Sequence, residues 1–229
     1  MKKLIKFALT GVLLPSSLST ALAAGIKPES SVLFLDDENR EATINIENTD
    51  SNTVLLHSTL QTIPEDHENK LIITPQLARV EAGEKQQVRV LLKDGVKVTH
   101  QTLQRINFVS IPPDDGKKNR TRVLIGQNIP VILSPANLPE NIFPWKGIKA
   151  QCAGTSIEIS NPTDYVVRLT TQLDLLPGGK KMTLPKTYIL PLETLNIPLP
   201  QKASCRAKSI RLHPVTRFGI LTTPYEVKL

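Results

Sequence analysis

Apolar and polar residues alternate with a period of two along much of the chain. In residues 42–48 isoleucines alternate with polar residues, and in residues 87–91 valines do the same. This alternation is typical of β-strands with one buried face, and patterns with the period of a helix are hard to find. Further strands are predicted at residues 54–60, 71–73, 78–81, 106–111, 123–133, 156–160 and 166–173. Because turn-forming residues separate these short strands at regular spacing, we predict an all-β chain of β-sandwiches.

A proline-rich segment divides this pattern into two parts. Residues 135–145 contain three prolines, and the strand pattern resumes after them. We therefore predict a first domain at 24–134, a linker at 135–145 and a second domain at 146–229. Each domain has the length of an immunoglobulin-like sandwich.

The N-terminal 23 residues have the pattern of a secretory signal peptide. Three lysines precede an apolar stretch at 7–14, and Ala21-Leu22-Ala23 has the form of a cleavage site. The apolar stretch is shorter than the roughly 20 residues that span a bilayer. A short buried helix is the alternative interpretation. We expect cleavage near Ala23, no stable membrane insertion, and a mature protein that is periplasmic or secreted.

The positive charge of the chain is partly a property of that signal segment. The formal net charge is +7, and removal of residues 1–23 removes three lysines and no acid, which leaves +4. A basic cluster remains at 117–122, but no aromatic residue is interleaved with it, and only 4% of the chain is aromatic. A solvated hairpin rim is therefore favoured over nucleic-acid binding, and no nucleic-acid partner is expected.

Residue patterns that would indicate catalysis are missing from the sequence. The four histidines are scattered, and no nucleophile elbow, glycine-rich phosphate loop or zinc motif occurs. Paired aspartates at 36–37 and 114–115 lie in turn-like stretches, where solvated turn residues are the favoured interpretation. We expect a protein that is not an enzyme and that needs no cofactor and no metal.

The chain has two cysteines, Cys152 and Cys205. An oxidising compartment favours a disulfide between them. Two buried free thiols are the alternative, and two cysteines without clustered histidines cannot complete a zinc site.

The order of several short motifs resembles the P-pilus-type (PapD-like) periplasmic chaperones of the chaperone–usher pathway. The motifs are Thr74-Pro75, the Arg-Val-x-x-Gly-x-x-x-x-Val-Arg block at 79–89, a strand ending in Ile111-Pro112-Pro113, Trp145, and Asn161-Pro162-Thr163-Asp164-Tyr165. The resemblance implies two immunoglobulin-like domains in an L-shaped arrangement. It also implies a chaperone that binds, folds and caps pilin subunits and delivers them to an outer-membrane usher.

In this family the last strand of the first domain completes the unfinished sandwich of a pilin subunit, which is donor-strand complementation. Position in the resemblance makes Val123 and Ile125 the main groove-filling residues, with Thr121 and Asn119 at the rim. The alternation along the strand places residues 121, 123 and 125 on one face. In the free protein such a strand has unpaired backbone groups at the edge of a sheet, where other chains can pair with it. A homodimer that covers this edge is therefore an open alternative.

Two positions depart from the family in the residues that hold the subunit's C-terminal carboxylate. The resemblance implies an arginine and a lysine, but Val32 and Pro130 occupy those positions. The remaining candidates for this role are Lys27, Arg105 and Arg122. Pro130 also removes a backbone donor from the predicted strand, so we expect interrupted or bulged pairing there.

The resemblance also implies structural roles for Arg89 and Trp145. Arg89 matches an arginine of the family's inter-domain charge network. However, Gln101 and Ser134 stand where charged residues are usual. An alternative function is that of a secreted two-domain adhesin or ligand-binding protein, which the missing carboxylate pair would suit.

Overall fold

The computed structural model of the protein describes residues 25–113, 124, 126–199 and 205–229. The predicted signal peptide lies outside the described residues, as do five predicted binding residues: Asn119, Thr121, Arg122, Val123 and Ile125. Within the described ranges, no helix is long and apolar enough to cross a membrane.

The first domain is a sandwich of two sheets. Its strands are β1 (Ile26–Pro28), β2 (Leu33–Asp36), β3 (Glu41–Asn48), β4 (Val54–Gln61), β5 (Leu71–Thr74), β6 (Leu77–Val80), β7 (Lys85–Leu92), β8 (Thr102–Ile111) and β9 (Gly126–Ser134). The sheet orders are β1-β3-β7-β5 and β2-β9-β8-β4-β6. The alternate apolar residues of β3 and β7 pack against those of β8 and β9 in one core. The period-two pattern therefore marked the buried faces correctly.

The second domain is also a sandwich. Its strands are β10 (Lys149–Ala153), β11 (Ser156–Ser160), β12 (Val167–Leu176), β13 (Lys180–Thr183), β14 (Tyr188–Ile189), β15 (Thr194–Pro198), β16 (Ser209–Pro214) and β17 (Tyr225–Lys228). They form the sheets β10-β11-β15 and β13-β12-β16-β17, and β14 pairs with β12. A 3₁₀ helix at Pro144–Gly147 precedes them and places Trp145 in this core. The predicted all-β fold with two sandwich domains is confirmed.

The predicted disulfide joins Cys152 to Cys205. Cys152 lies on β10 at the edge of the three-stranded sheet, and Cys205 lies in the segment that leads into β16 of the other sheet. The bond therefore ties β10 to the segment between β15 and β16.

In the part of the chain that the structure describes, each domain has one fully buried asparagine, which binds the carbonyl groups of two neighbouring turns. Asn48 ends β3, and its side-chain amide donates to the carbonyls of Asn52, Val80 and Glu81 at 2.9–3.1 Å. Asn161 follows β11, and its amide donates to the carbonyls of Tyr165, Ile189 and Leu190 at 2.7–3.3 Å. The Asn-Pro-Thr motif thus has a structural explanation, because its asparagine satisfies buried carbonyl groups.

The two domains share a buried apolar contact. It is formed by Val32, Ile63, Leu103 and Ile132 of the first domain and Val166 and Tyr188 of the second. Beside it, Gln101 accepts a hydrogen bond from the backbone N–H of Val166 at 2.8 Å and donates to the Ser134 hydroxyl at 3.0 Å. Neutral hydrogen bonds therefore occupy the two positions where charged residues were expected from the resemblance.

The expected interruption of pairing at Pro130 is wrong. Strand β9 pairs with β8 in one continuous register from Gly126 to Leu133, with Pro130 opposite Arg105. A strand points alternate N–H groups to opposite sides, so a proline fits where its missing donor would face an open edge.

Candidate functional site

Strand β9 has a half-open edge. On one side it pairs with β8 over eight residues, but on the other side β2 pairs with it only from Val131 to Ser134. Among the described residues, no strand pairs with that side of residues 126–130. Such an edge presents backbone groups that another chain can pair with.

The two faces of β9 have different surroundings. Ile129, Val131 and Leu133 belong to the core of the first domain, whereas Ile132 belongs to the apolar contact between the domains. Strand β9 is thus fixed by a core on one face and by the second domain on the other. The open stretch at its beginning is an extension of a rigid element.

Two arginines line a pocket at the domain boundary beside this open stretch. Arg105 lies on β8 directly opposite Pro130, and Arg168 lies on β12 opposite Tyr188. All four residues line the pocket. Arg105 donates to the side chain of Asn128 and, at 3.3 Å, to its backbone carbonyl. Arg168 donates to the carbonyl of Thr216 at 3.5 Å.

The positive charge in this pocket is not neutralised by a described carboxylate, since neither guanidinium forms an ion pair with one. Burial lowers the pKa of both arginines, and the charge of Arg105 lowers the pKa of Arg168 further. An anion placed between them would relieve both effects, and a guanidinium is the side chain best suited to bind a carboxylate.

The nearby acid, Glu65, already has partners. Its carboxylate accepts hydrogen bonds from Lys186 at 2.5 Å and from the Tyr188 hydroxyl at 2.8 Å. Burial raises the pKa of Glu65, but these hydrogen bonds outweigh it, so the pKa lies below its usual range. Burial and the contact with Glu65 raise the pKa of Tyr188. Glu65 is therefore an inter-domain contact, and within the described ranges the two arginines have no carboxylate partner.

The structure separates the sequence-based anchor candidates that it describes. Arg105 faces the boundary pocket, but Lys27 is exposed on β1 in the other sheet, opposite Glu47. Arg122 lies outside the described residues. Val32, at the family's arginine position, is buried in the contact between the domains. Arg168 was missed, because its position beside Arg105 depends on how the domains dock and no local sequence signal indicates it.

The two residues expected to be structural have distinct environments. Arg89 on β7 forms a two-point ion pair with Glu41 on β3, with both hydrogen bonds at 2.7 Å, on the exposed face of the four-stranded sheet. Its partner therefore belongs to the same domain. Trp145 is 4% exposed within the second core.

A patch of exposed apolar residues lies at the far edge of the five-stranded sheet. Leu55 on β4 and Leu77 on β6 are 37% and 54% exposed. Ile111, at the end of β8, lines a shallow depression with Leu55 and Pro112. Leu77 on β6 lies at the opposite edge of this sheet from the open stretch of β9, whereas Ile111 lies on β8, the strand that pairs with β9.

Comparison with known proteins covers nearly all of the described chain. Residues 25–139 match the family described as pili and flagellar-assembly chaperone, PapD N-terminal domain. Residues 145–226 match the pili assembly chaperone PapD, C-terminal domain. The fimbrial chaperone YhcA of Escherichia coli K12 is 41% identical over 219 residues, which are 95% of this chain and 96% of YhcA.

Solved structures share the fold. The structure of Salmonella enterica SafA pilin in complex with the SafB chaperone contains a chain with a TM-score of 0.75 and 20% identity, and the match covers 90% of this chain and 97% of that chain. The E. coli chaperone DraB has a TM-score of 0.75 and 19% identity, with 90% and 99% covered. With the family matches over both domains, the chain belongs to the PapD family of pilus-assembly chaperones.

Proposed function

We propose that this protein holds pilin subunits on the open edge of β9 and on the chain that precedes it. The observation that carries the proposal is the five-residue stretch of β9, from Gly126 to Pro130, that has backbone pairing capacity on one side. An incomplete pilin sandwich lacks a strand, and an added strand supplies affinity through its backbone hydrogen bonds.

The alternation of side chains between the two faces of β9 indicates which residues would fill the subunit's groove. Ile129, Val131 and Leu133 face the core. An extension of the strand toward the N-terminus would place residues 125, 123 and 121 on that same face. Val123 and Ile125 are the large aliphatic residues of this set, and each contributes about 1.5–3 kcal/mol when fully buried. Thr121 and Asn119 would lie at the rim of the groove.

The test is co-purification with pilin-like subunits encoded beside the gene for this chain. We expect the double variant Val123→Ser/Ile125→Ser to fold normally and to lose the subunit. The matched control is Ile72→Ser/Leu192→Ser, which changes two aliphatic residues that are 47% and 67% exposed elsewhere. Undiminished co-purification of the first variant would refute the role of this strand.

Arg105 and Arg168 are the residues that we assign to the C-terminal carboxylate of the subunit. A guest strand on residues 126–130 cannot continue past Pro130, because β2 occupies the edge from Val131 onward. The end of the guest chain would therefore lie beside the pocket of the two arginines. A negatively charged chain end fits there, which requires the guest strand to run parallel to β9.

This assignment can be tested with Arg105→Gln and Arg168→Gln, with Arg211→Gln on β16 as the control. Loss of a charged hydrogen bond should weaken subunit binding by about tenfold to a hundredfold. A subunit extended by two C-terminal glycines should bind the native chain more weakly, but should show little further loss with the double arginine variant. A double variant that binds the subunit within twofold of the native chain would exclude the assignment.

Delivery to an outer-membrane usher needs a surface that the subunit leaves free. We assign this role to the patch of Leu55 on β4 and Leu77 on β6, the two strands of the sheet that lie beyond β8 from β9. The variant Leu55→Ser/Leu77→Ser should retain the subunit but should fail to complement pilus assembly in cells. Normal assembly would exclude the patch.

Two further parts of the proposal concern the free protein. We place it in the periplasm after removal of residues 1–23, which N-terminal sequencing of the mature protein tests. The open edge of β9 is also a template for pairing between two free molecules. Sedimentation velocity should show a dimer that subunit binding dissociates, and a monomer at all concentrations would refute self-capping.

A further inference from the structure

The loop between β16 and β17 displays three large apolar side chains to solvent. Phe218, Ile220 and Leu221 are 70%, 63% and 64% exposed. Single exposed apolar residues are ordinary, but three within four positions make a contiguous patch, and such patches mark interaction surfaces.

The loop is a fixed turn. The Thr216 backbone N–H donates to the carbonyl of Ile220 at 2.8 Å, and the Gly219 N–H donates back to the carbonyl of Thr216 at 3.0 Å. Val215 and Leu221 form an isolated β-bridge across its base. Gly219 adopts a φ of +78°, which favours glycine. The backbone that carries the three side chains is therefore ordered before any partner arrives, which lowers the entropic cost of binding.

The loop belongs to the second domain but is docked on the first. The Ser31 hydroxyl donates to the carbonyl of Phe218 at 2.6 Å. A Cβ atom at Gly219 would lie 2.2 Å from the Ser31 hydroxyl, so only glycine allows this close approach. Arg217 packs over the ring of Phe34 on β2, 4.6 Å from its centroid, and forms an ion pair with Glu140.

This docking places the apolar tip of the loop, formed by Phe218, Ile220 and Leu221, beside the end of the open stretch of β9. Ser31 lies two residues before the first β2–β9 pair, which joins Leu33 to Val131. The same loop supplies the Thr216 carbonyl that accepts a hydrogen bond from Arg168. The tip, the pocket of the two arginines and the open edge of β9 are thus neighbouring parts of one surface.

We propose that Phe218, Ile220 and Leu221 form a second subunit-binding surface, which contacts the body of the pilin subunit held on β9. This inference rests on the proposed function, because it is the guest strand on β9 that brings the subunit to the loop. An incomplete sandwich exposes apolar surface near its missing strand, and the tip covers part of it. The second domain thereby contributes binding energy as well as support.

The test uses the triple variant Phe218→Ser/Ile220→Ser/Leu221→Ser, which keeps Thr216 and Gly219 and hence the turn. The dissociation constant for a pilin subunit that binds the native chain should rise about tenfold to a hundredfold, since three apolar side chains lose their contacts. The melting temperature of the free variant should equal that of the native chain, because these side chains are already exposed. The Ile72→Ser/Leu192→Ser variant is the matched control.

Each outcome bears on a different claim. If the native chain binds no subunit, the proposed function fails. If Val123→Ser/Ile125→Ser abolishes binding while the triple variant binds within twofold of native, only the role of the loop is overturned. If the triple variant changes the self-association of the free chain in sedimentation velocity but not its subunit affinity, the partner of the tip is a second copy of this chain, and the proposal is wrong.

Discussion

Each domain contains a buried asparagine that binds carbonyl groups, but the last strands of the two domains differ. Asn48 and Asn161 each bind three carbonyl groups at equivalent places in the two sandwiches. The last strand of the first domain, β9, is nine residues long and is covered by β2 along only part of one edge. The last strand of the second domain, β17, has four residues, and a disulfide in that domain ties β10 to the segment before β16.

Because of this difference, one domain provides rigid support and the other provides an edge for binding. The second domain is closed by covalent and hydrogen-bonded links, and it positions Arg168 and the β16–β17 loop at the boundary. The first domain keeps pairing capacity at its edge while its core stays complete. One sandwich design thus serves as a support in one domain and as a binding edge in the other.

The largest expected effects test whether the two buried asparagines contribute equally to the stability of their domains. Asn48→Ala and Asn161→Ala each remove three hydrogen bonds to carbonyl groups, one of them buried, and the side-chain oxygen that accepts a backbone N–H of the following turn. Each should therefore lower the free energy of unfolding of its own domain by about 3–5 kcal/mol. Urea unfolding followed by circular dichroism measures this loss. A change below about 1 kcal/mol at either site would show that the two asparagines are not equivalent.

Reduction of the disulfide should affect one domain only. The variant Cys152→Ser/Cys205→Ser opens a loop with a sequence separation of 53 residues. It should lower the free energy of unfolding of the second domain by about 2–4 kcal/mol and leave the first domain unchanged. Tryptophan fluorescence reports on the second domain, because Trp145 lies in its core. Equal destabilisation of both domains would contradict a role of the disulfide that is confined to the second domain.

The contact of Glu65 with Lys186 predicts a pH-dependent link between the domains. Since the pKa of Glu65 is lowered from 4.5, its stabilisation is present above that pH and is lost as the pH falls through the lowered pKa. Glu65→Gln should therefore destabilise the protein by about 1–2 kcal/mol at pH 7, and this difference should vanish under acid conditions. Glu84→Gln, at an exposed turn, is the control, and a pH-independent difference for Glu65→Gln would exclude the ionic contribution.

The smallest expected effect concerns the neutral hydrogen bonds of Gln101. Gln101→Glu retains an acceptor for the Val166 N–H, and the Ser134 hydroxyl can turn to donate, so stability at pH 7 should change by less than about 0.5 kcal/mol. Gln101→Ala leaves that N–H unsatisfied and should cost about 1 kcal/mol. Thermal unfolding of the two variants side by side distinguishes these outcomes.

Local pattern predicted the strands but not the site at the boundary. The period-two alternation in β3 and β7 depends only on neighbouring residues, and so it predicted buried faces correctly. The pairing of Cys152 with Cys205 was favoured by the compartment. In contrast, the proximity of Arg105 and Arg168 arises from the docking of two domains, which no short sequence window contains.

The regular register at Pro130 was missed for a related reason. A proline interrupts a strand only when its absent N–H faces a neighbour, and the sequence does not tell which side of a strand is covered. Only the sheet order, in which β2 begins to pair at Val131, reveals that the edge beside Pro130 is open.

The anchoring of β9 in its own core has a kinetic consequence. Ile129, Val131 and Leu133 remain packed in the first domain whether or not the open stretch is occupied. Departure of a guest strand then exposes an edge but no core, so the protein needs no refolding before it accepts another guest. We expect each molecule to act repeatedly, with its cycling rate set by strand exchange at the edge.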